Sequence, residues 1–114
     1  MNGLPEIVAR RATGEQVELD LIVSADSPWF SGHFPGQPIL PGVVQVGWAA
    51  QFAADACGFD APPTTLERVK FKRPILPGAQ LTLLLASAAN KVRYDYRQDG
   101  DSVSSGVLCF GGAA

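Results

Sequence analysis

At 114 residues the chain has room for one domain with a genuine core and too little for two ordinary ones. Hydrophobic residues make up 46% and charged residues 18%, with a formal net charge of -2, which excludes a disordered chain and an overall basic field for gripping nucleic-acid phosphates. The N-terminus lacks a basic segment followed by an apolar stretch, and no apolar run is long enough to cross a bilayer, so the expectation is a cytoplasmic protein with neither a membrane nor a nucleic-acid partner.

Val17, Leu19, Leu21 and Val23 recur with the period of two expected of a half-buried strand, and this is read as the first one. From Ser27 to Pro41 the chain is punctuated by Pro28, Gly32, Pro35, Gly36, Pro38 and Pro41, and so forms a long, stiff loop. Gly42 to Cys57 is alanine-rich, with Pro41 suited to a first helical turn and Gly58 to a C-terminal cap, and predicts a helix of about four turns. Its strongly polar side chains are only Gln45, Gln51 and Asp55, so nearly its whole circumference should be covered by protein.

The cover is expected from strands over Glu67 to Lys72, Leu81 to Ala88, Lys91 to Arg97 and Ser102 to Phe110, with Asp99-Gly100 as a hairpin signal and Pro74 and Pro77-Gly78 as a further turn. Strand, loop, one apolar helix and a run of antiparallel strands define an α+β domain, 1–114, in which a curved sheet grips a central helix. The free edge of such a sheet is protected if two copies pair, so a dimer is expected. Cys57 and Cys109 fall at the helix end and in a strand, and read as small buried hydrophobes rather than a disulfide.

The segment His33-Phe34-Pro35-Gly36-Gln37-Pro38-Ile39-Leu40-Pro41-Gly42-Val43-Val44 resembles the signature of the FabA/FabZ-type 3-hydroxyacyl-ACP dehydratases. Leu40 to Gln45 with Trp48-Ala49 is most similar to the ApeI-like dehydratases of aryl-polyene pathways, and Val69 to Gly78 resembles the family's second landmark, a strand and turn beside the helix. The resemblance runs from about Val17 to Phe110 and implies a hot-dog fold. It also implies a substrate delivered as a thioester on phosphopantetheine, carried by an acyl carrier protein or by CoA, for dehydration in fatty-acid or polyene biosynthesis.

His33 is the sole histidine and sits in the stiff loop just before the helix. Imidazole titrates nearest neutrality, as a base removing the proton beside a thioester carbonyl requires. A lone histidine beside prolines is otherwise more often a surface or packing residue, and the surrounding motif reverses that preference. Backbone N–H groups at the helix start, those of Gly42 and Val43, suit the negative charge that develops on the carbonyl oxygen, and glycine admits close approach.

The resemblance further implies an acid fourteen residues after the histidine, where this chain has Gly47. Glycine donates no proton, and in mid-helix it costs about 1 kcal/mol relative to alanine, so close packing is the plain explanation for it. Three readings stay open. The first is a homodimeric dehydratase whose acid is a water held by Gln51, one turn beyond Gly47; the second is a half-site paired with an acid-bearing hot-dog subunit. The third is a thioesterase or a silent acyl-carrier binder, for which Asp26, read as a turn residue, and Asp55, read as solvent-facing, are the nearby carboxylates.

Lys70, Lys72 and Arg73, with Arg10 and Arg11, are placed to meet an acidic carrier protein, or else mark a solvated strand face. Trp29, Phe30, Trp48 and Phe52 are candidates for an acyl tunnel or for plain core. One histidine and two separated cysteines build no metal site, and no phosphate-cradling glycine loop occurs, so no cofactor of the chain's own is expected.

Overall fold

The structure, a computed structural model, describes residues 4–30 and 38–111. The elements in chain order are β1 (Glu6–Thr13), β2 (Gln16–Ile22), a short 3-10 turn (Pro28–Phe30), α1 (Gly42–Cys57), β3 (Pro63–Phe71), β4 (Gln80–Ala88), β5 (Lys91–Gln98) and β6 (Asp101–Phe110). The strands form one antiparallel sheet of six in the order β1-β2-β4-β5-β6-β3, with α1 packed across β4 and β5. This is the α+β arrangement expected, a single helix held against a sheet.

The core follows from strand alternation. Leu81, Leu83 and Leu85 on β4, and Val92, Tyr94 and Tyr96 on β5, turn to one face and are buried there. Against them α1 sets Val44, Gln45, Trp48, Ala49, Phe52 and Ala53. Trp48 is fully buried, and each such large apolar side chain contributes on the order of 1.5–3 kcal/mol by leaving water. Trp48, Phe52 and Phe30 are therefore core residues rather than a tunnel wall, and Trp29 packs half-buried beside them.

α1 has the bounds read from the sequence. Gly58 caps it in the left-handed region at φ 78°, donating its N–H to the Ala54 carbonyl at 3.0 Å. Pro41, expected in the first turn, is instead the N-cap, with an extended backbone at φ -60° and ψ 144°. The Leu40 N–H donates to the Ile75 carbonyl at 2.9 Å, tying the segment before the helix to the β3–β4 loop and keeping it extended.

Two strands differ from the sequence reading. Val17 opens the second strand and not the first, because Glu6–Thr13 pairs ahead of it through a tight turn with Gly14 at φ 58°. β3 begins at Pro63, four residues before the expected Glu67, with Thr64 and Thr65 exposed on a strand that has little burial to announce it. Asp99 and Gly100 turn at φ 53° and 85°, both positive as a type I′ hairpin requires.

The helix is not covered all round by its own chain. One side faces the sheet; Val43 is 78% exposed, Asp55 is exposed, and Val46, Gly47 and Ala50 are half-buried. A sheet of six strands curls over one flank only, so the apolar remainder of α1 is left at the surface of a single chain. Both cysteines are free thiols, Cys109 buried and Cys57 half-buried.

Candidate functional site

Three buried hydrogen bonds fix the start of α1. Leu40 donates its N–H to Ile75, the Gln45 side-chain amide donates from Nε2 to the Leu40 carbonyl at 3.1 Å, and the Tyr96 hydroxyl donates to the Gln45 carbonyl at 2.7 Å. The first helical turn is thus pinned to β5 on one side and to the β3–β4 loop on the other. Tyr96 is fully buried, and burial pushes its phenol well above the usual tyrosine range, so it stays a donor.

Inside the helix the ladder begins with the N–H groups of Val44 and Gln45, both donating to the Pro41 carbonyl at 3.1 Å. Those of Gly42 and Val43 come ahead of it and carry the positive end of the helix dipole. Gly42 lines a cleft of about 320 Å³ together with Ile39, Leu40, Pro41, Gln45 and the stretch from Phe71 to Pro74. Gln45 is 4% exposed, and its Oε1 has no hydrogen-bond partner among the described residues.

Phe71 explains why position 42 is glycine. A Cβ built on Gly42 would lie 2.7 Å from the Phe71 Cζ, so the aromatic ring occupies the space a side chain would need. The Phe71 ring forms one wall of the cleft beside Gly42. Lys72 and Arg73 are exposed along the same lining, and Arg73 faces Asp101 at 3.7 Å.

His33 lies outside the described residues, as do Gly32, Phe34, Pro35 and Gly36. Gly47 sits mid-helix and half-buried, with Gln51 half-buried one turn further along. Asp26 is exposed, and the turn there is held by Ser24, whose Oγ accepts the Asp26 N–H at 3.1 Å. Asp55 is exposed near the helix end, away from the cleft lining.

The cationic residues grouped in the sequence separate in the fold. Arg10 and Arg11 are on β1 and Lys70 is on β3, at opposite edges of the sheet. Arg11 is already engaged, its guanidinium donating to both Asp20 oxygens at 2.8 Å and to Glu18 at 3.1 Å. Only Lys70, Lys72 and Arg73 remain together, and of these only Lys72 and Arg73 line the cleft. A larger cleft, of about 720 Å³ near Phe59, Asn90 and Phe110, lies at the other end of α1, with Asp60 as its sole ionisable lining group.

Residues 9–107 match the model of the ApeI-like family, described as ApeI dehydratase. The chain belongs to this ApeI-like dehydratase family. The ApeI-like chain is 29% identical to a chain in the structure of the dehydratase heterocomplex ApeI:P from Xenorhabdus doucetiae, with a TM-score of 0.85 over 92% of this chain and 96% of that one. It is 36% identical to an uncharacterized protein from Erwinia carotovora subsp. atroseptica, with a TM-score of 0.82 over 96% and 98% of the two chains. Among curated proteins it is 34% identical over 101 residues to the 3-hydroxyacyl-[acyl-carrier-protein] dehydratase FabZ of Geobacter metallireducens, covering 77% of this chain and spanning 65% of that relative's length. The fold is therefore a hot-dog fold.

Sequence reasoning singled out the helix start and its N–H groups but missed Phe71, Tyr96 and Gln45 as the parts that hold it. Gln45 carried a visible signal, a polar residue on an otherwise apolar helix face. Phe71 lies in the stretch that resembles the family's second landmark, which places it beside the helix without saying what it touches, and Tyr96 carried no signal, since it reads as an ordinary strand residue until the sheet closes on the helix.

Proposed function

We propose that this ApeI-like protein acts on 3-hydroxyacyl thioesters held on a phosphopantetheine arm, eliminating water to give a trans-2-enoyl thioester. The observation that carries the reading is the helix start at Gly42. Gly42, whose N–H comes ahead of the internal ladder, lines a cleft walled by Phe71, and Ile39 to Gly42 of the stretch resembling the dehydratase signature line the same cleft. Membership of a dehydratase family supports the same chemistry.

In this reading His33 takes the proton from the carbon beside the thioester carbonyl, and the electron pair moves to the carbonyl oxygen. The N–H groups of Gly42 and Val43 stabilise that oxygen, an arrangement in which losing one donor costs about 2.7–4 kcal/mol in comparable sites. As the double bond forms, the neighbouring hydroxyl leaves and must gain a proton to become water. Gly47 supplies none. In a homodimer the donor is a water positioned near Gln51, and the loss of a side-chain acid costs roughly 100- to 10,000-fold in rate.

A second reading is favoured by Gly47 together with the likeness to a chain of the Xenorhabdus dehydratase heterocomplex. Here a second hot-dog subunit supplies the carboxylate opposite His33. The thioesterase reading finds less support, because Asp26 and Asp55 are both exposed and neither lines the helix-start cleft. Lys72 and Arg73 at that cleft suit the phosphate of the arm or an acidic carrier surface.

The test is water elimination from a 3-hydroxyacyl thioester on a carrier protein, measured for the wild type, His33→Ala and Gly47→Glu. Slow wild-type turnover, abolished by His33→Ala and raised by Gly47→Glu, is the expected result. Wild-type activity unaffected by His33→Ala overturns the assignment of the base. Release of free thiol without dehydration overturns the reaction class.

A further inference from the structure

We propose that the face of the sheet turned away from α1 carries a second site, a basic trough that binds a compact anion bearing several phosphate groups. The inference goes beyond the dehydratase reading and does not depend on it, since the trough and the helix-start cleft lie on opposite faces of the sheet.

The trough, of about 500 Å³, crosses β5, β6 and β3 and is edged by Ala86 and Ala88 of β4. Arg68, Lys70, Lys91 and Arg93 line it, four of the nine Lys and Arg residues of a chain whose net charge is -2. Glu67 is its one carboxylate, and Lys91 meets it at 3.4 Å. The exposed side chains of Arg68, Lys70 and Arg93 have no hydrogen-bond or ion-pair partner among the described residues. Elsewhere on the sheet the arginines are neutralised in place, Arg11 by Asp20 and Glu18, and Arg97 by Asp95.

The path of β3 delivers two of these charges. Its register against β6 slips once, because Glu67 faces Val107 while Lys70 faces Ser105, so three steps on β3 match two on β6. Regular alternation continued from Glu67 would send residues 68 and 70 to the α1 side. The extra residue instead brings Arg68 and Lys70 to the trough beside Glu67, with Arg68 held at φ 54°. That left-handed conformation is unfavourable for a residue with a β-carbon, and such strain gathers where a side chain is aimed at a ligand.

Lys91 and Arg93 on β5 stand two strands from Arg68 and Lys70, about 10 Å away across β6. Long side chains from the two sides therefore converge above Ser105 and Val107. Guanidinium forks match pairs of phosphate oxygens, and the lysines add point charges. Single exposed ion pairs are weak, so the trough favours an anion whose clustered phosphates engage all four cations at once.

Two other classes of partner fit less well. The floor is made of small residues, Ala86, Ala88 and Gly106 among them, and has no aromatic anchor of the kind that fixes a protein partner. Beside Ser105 the next strands carry Asp95 and then, beyond Leu84, Glu18, so an extended nucleic-acid strand would run from cations onto carboxylates. A short chain of phosphates, free or on a nucleoside, stays within the positive region.

The test is calorimetric titration of the whole protein at low ionic strength with inorganic triphosphate, ATP, orthophosphate and a hexaglutamate peptide, for the wild type, Arg68→Gly, Arg93→Gln and Arg11→Gln. Triphosphate should bind once per chain, at least tenfold more tightly than orthophosphate, and added salt should weaken it. ATP that binds as tightly as triphosphate identifies a nucleotide as the source of the phosphates, and ATP that does not bind identifies inorganic polyphosphate. Arg68→Gly removes the guanidinium while suiting φ 54°, and it and Arg93→Gln should each weaken triphosphate binding at least tenfold, with circular dichroism establishing that both are folded. Arg11→Gln, at the far edge of the sheet, should bind like the wild type. No triphosphate binding, binding no tighter than orthophosphate, folded Arg68→Gly and Arg93→Gln proteins that bind like wild type, or an equal loss in Arg11→Gln would each overturn the proposal. Hexaglutamate binding more tightly than triphosphate would also overturn it, assigning the trough to an acidic protein.

Discussion

Gly106 is where the sheet makes room for its own core, and Gly106→Ala measures how tightly that room is held. A Cβ at this position would lie 2.7 Å from the Tyr94 Cε2 and 2.8 Å from its hydroxyl oxygen. Tyr94 is fully buried between the sheet and α1, edge-on to Tyr96 with ring centroids 5.8 Å apart, so its ring has nowhere to go without displacing a neighbour. Inserting one methyl into a closed core costs about 1–3 kcal/mol. With an unfolding entropy near 2.1 cal/mol/K per residue, this corresponds to a drop in Tm of roughly 4–12 °C. The Tyr94 hydroxyl has no hydrogen-bond partner among the described residues, so Tyr94→Phe alone should be neutral or slightly stabilising, and in the Gly106→Ala background it should restore part of the loss. Thermal unfolding of the two single variants and the double variant decides it. An unchanged Tm for Gly106→Ala, or additive effects in the double variant, would refute the packing argument.

Tyr96→Phe deletes the donor that pins the Gln45 carbonyl and should cost about 1 kcal/mol in urea unfolding; a neutral outcome would mean the helix start is held by its other bonds alone. Gly58→Ala places a β-carbon in the left-handed region that closes α1 and should lower stability by about 1 kcal/mol, with a shifted midpoint and an unchanged m-value. The Asp20 carboxyl is held down at about 2 by hydrogen bonds from Arg11 and then from the Thr82 hydroxyl. Its contribution to stability is therefore complete above the ordinary value of 3.8 and is lost as pH falls through about 2. Asp20→Asn should flatten the fall in stability between pH 4 and 2, and equal slopes for the two proteins would remove the pair from the account.

What the sequence made legible is what short-range chemistry controls. Gly58 in the left-handed region, Asp99-Gly100 in a hairpin and an alanine-rich stretch closed by glycine state their conformations within a few residues. β1 stayed hidden because it is an edge strand with both faces toward water, so Glu6–Thr13 shows no alternation and Ile7 and Val8 stand exposed. β3 was shortened for the same reason. At the site, the helix start could be read from Pro41 and Gly42, but its supports could not. Phe71 reaches Gly42 across 29 positions and Tyr96 reaches Gln45 across 51, and a pairing at such separation exists only once the sheet order is fixed.

The extra residue in β3 sets the phase of everything that follows it on that strand. Removing Val69 would turn Phe71 outward and swing Lys72 in over the first turn of α1, exchanging an aromatic wall for an ammonium group beside the helix N-terminus. A one-residue irregularity thus sets which side chain walls the cleft, and any change in length between Glu67 and Lys70 must alter it.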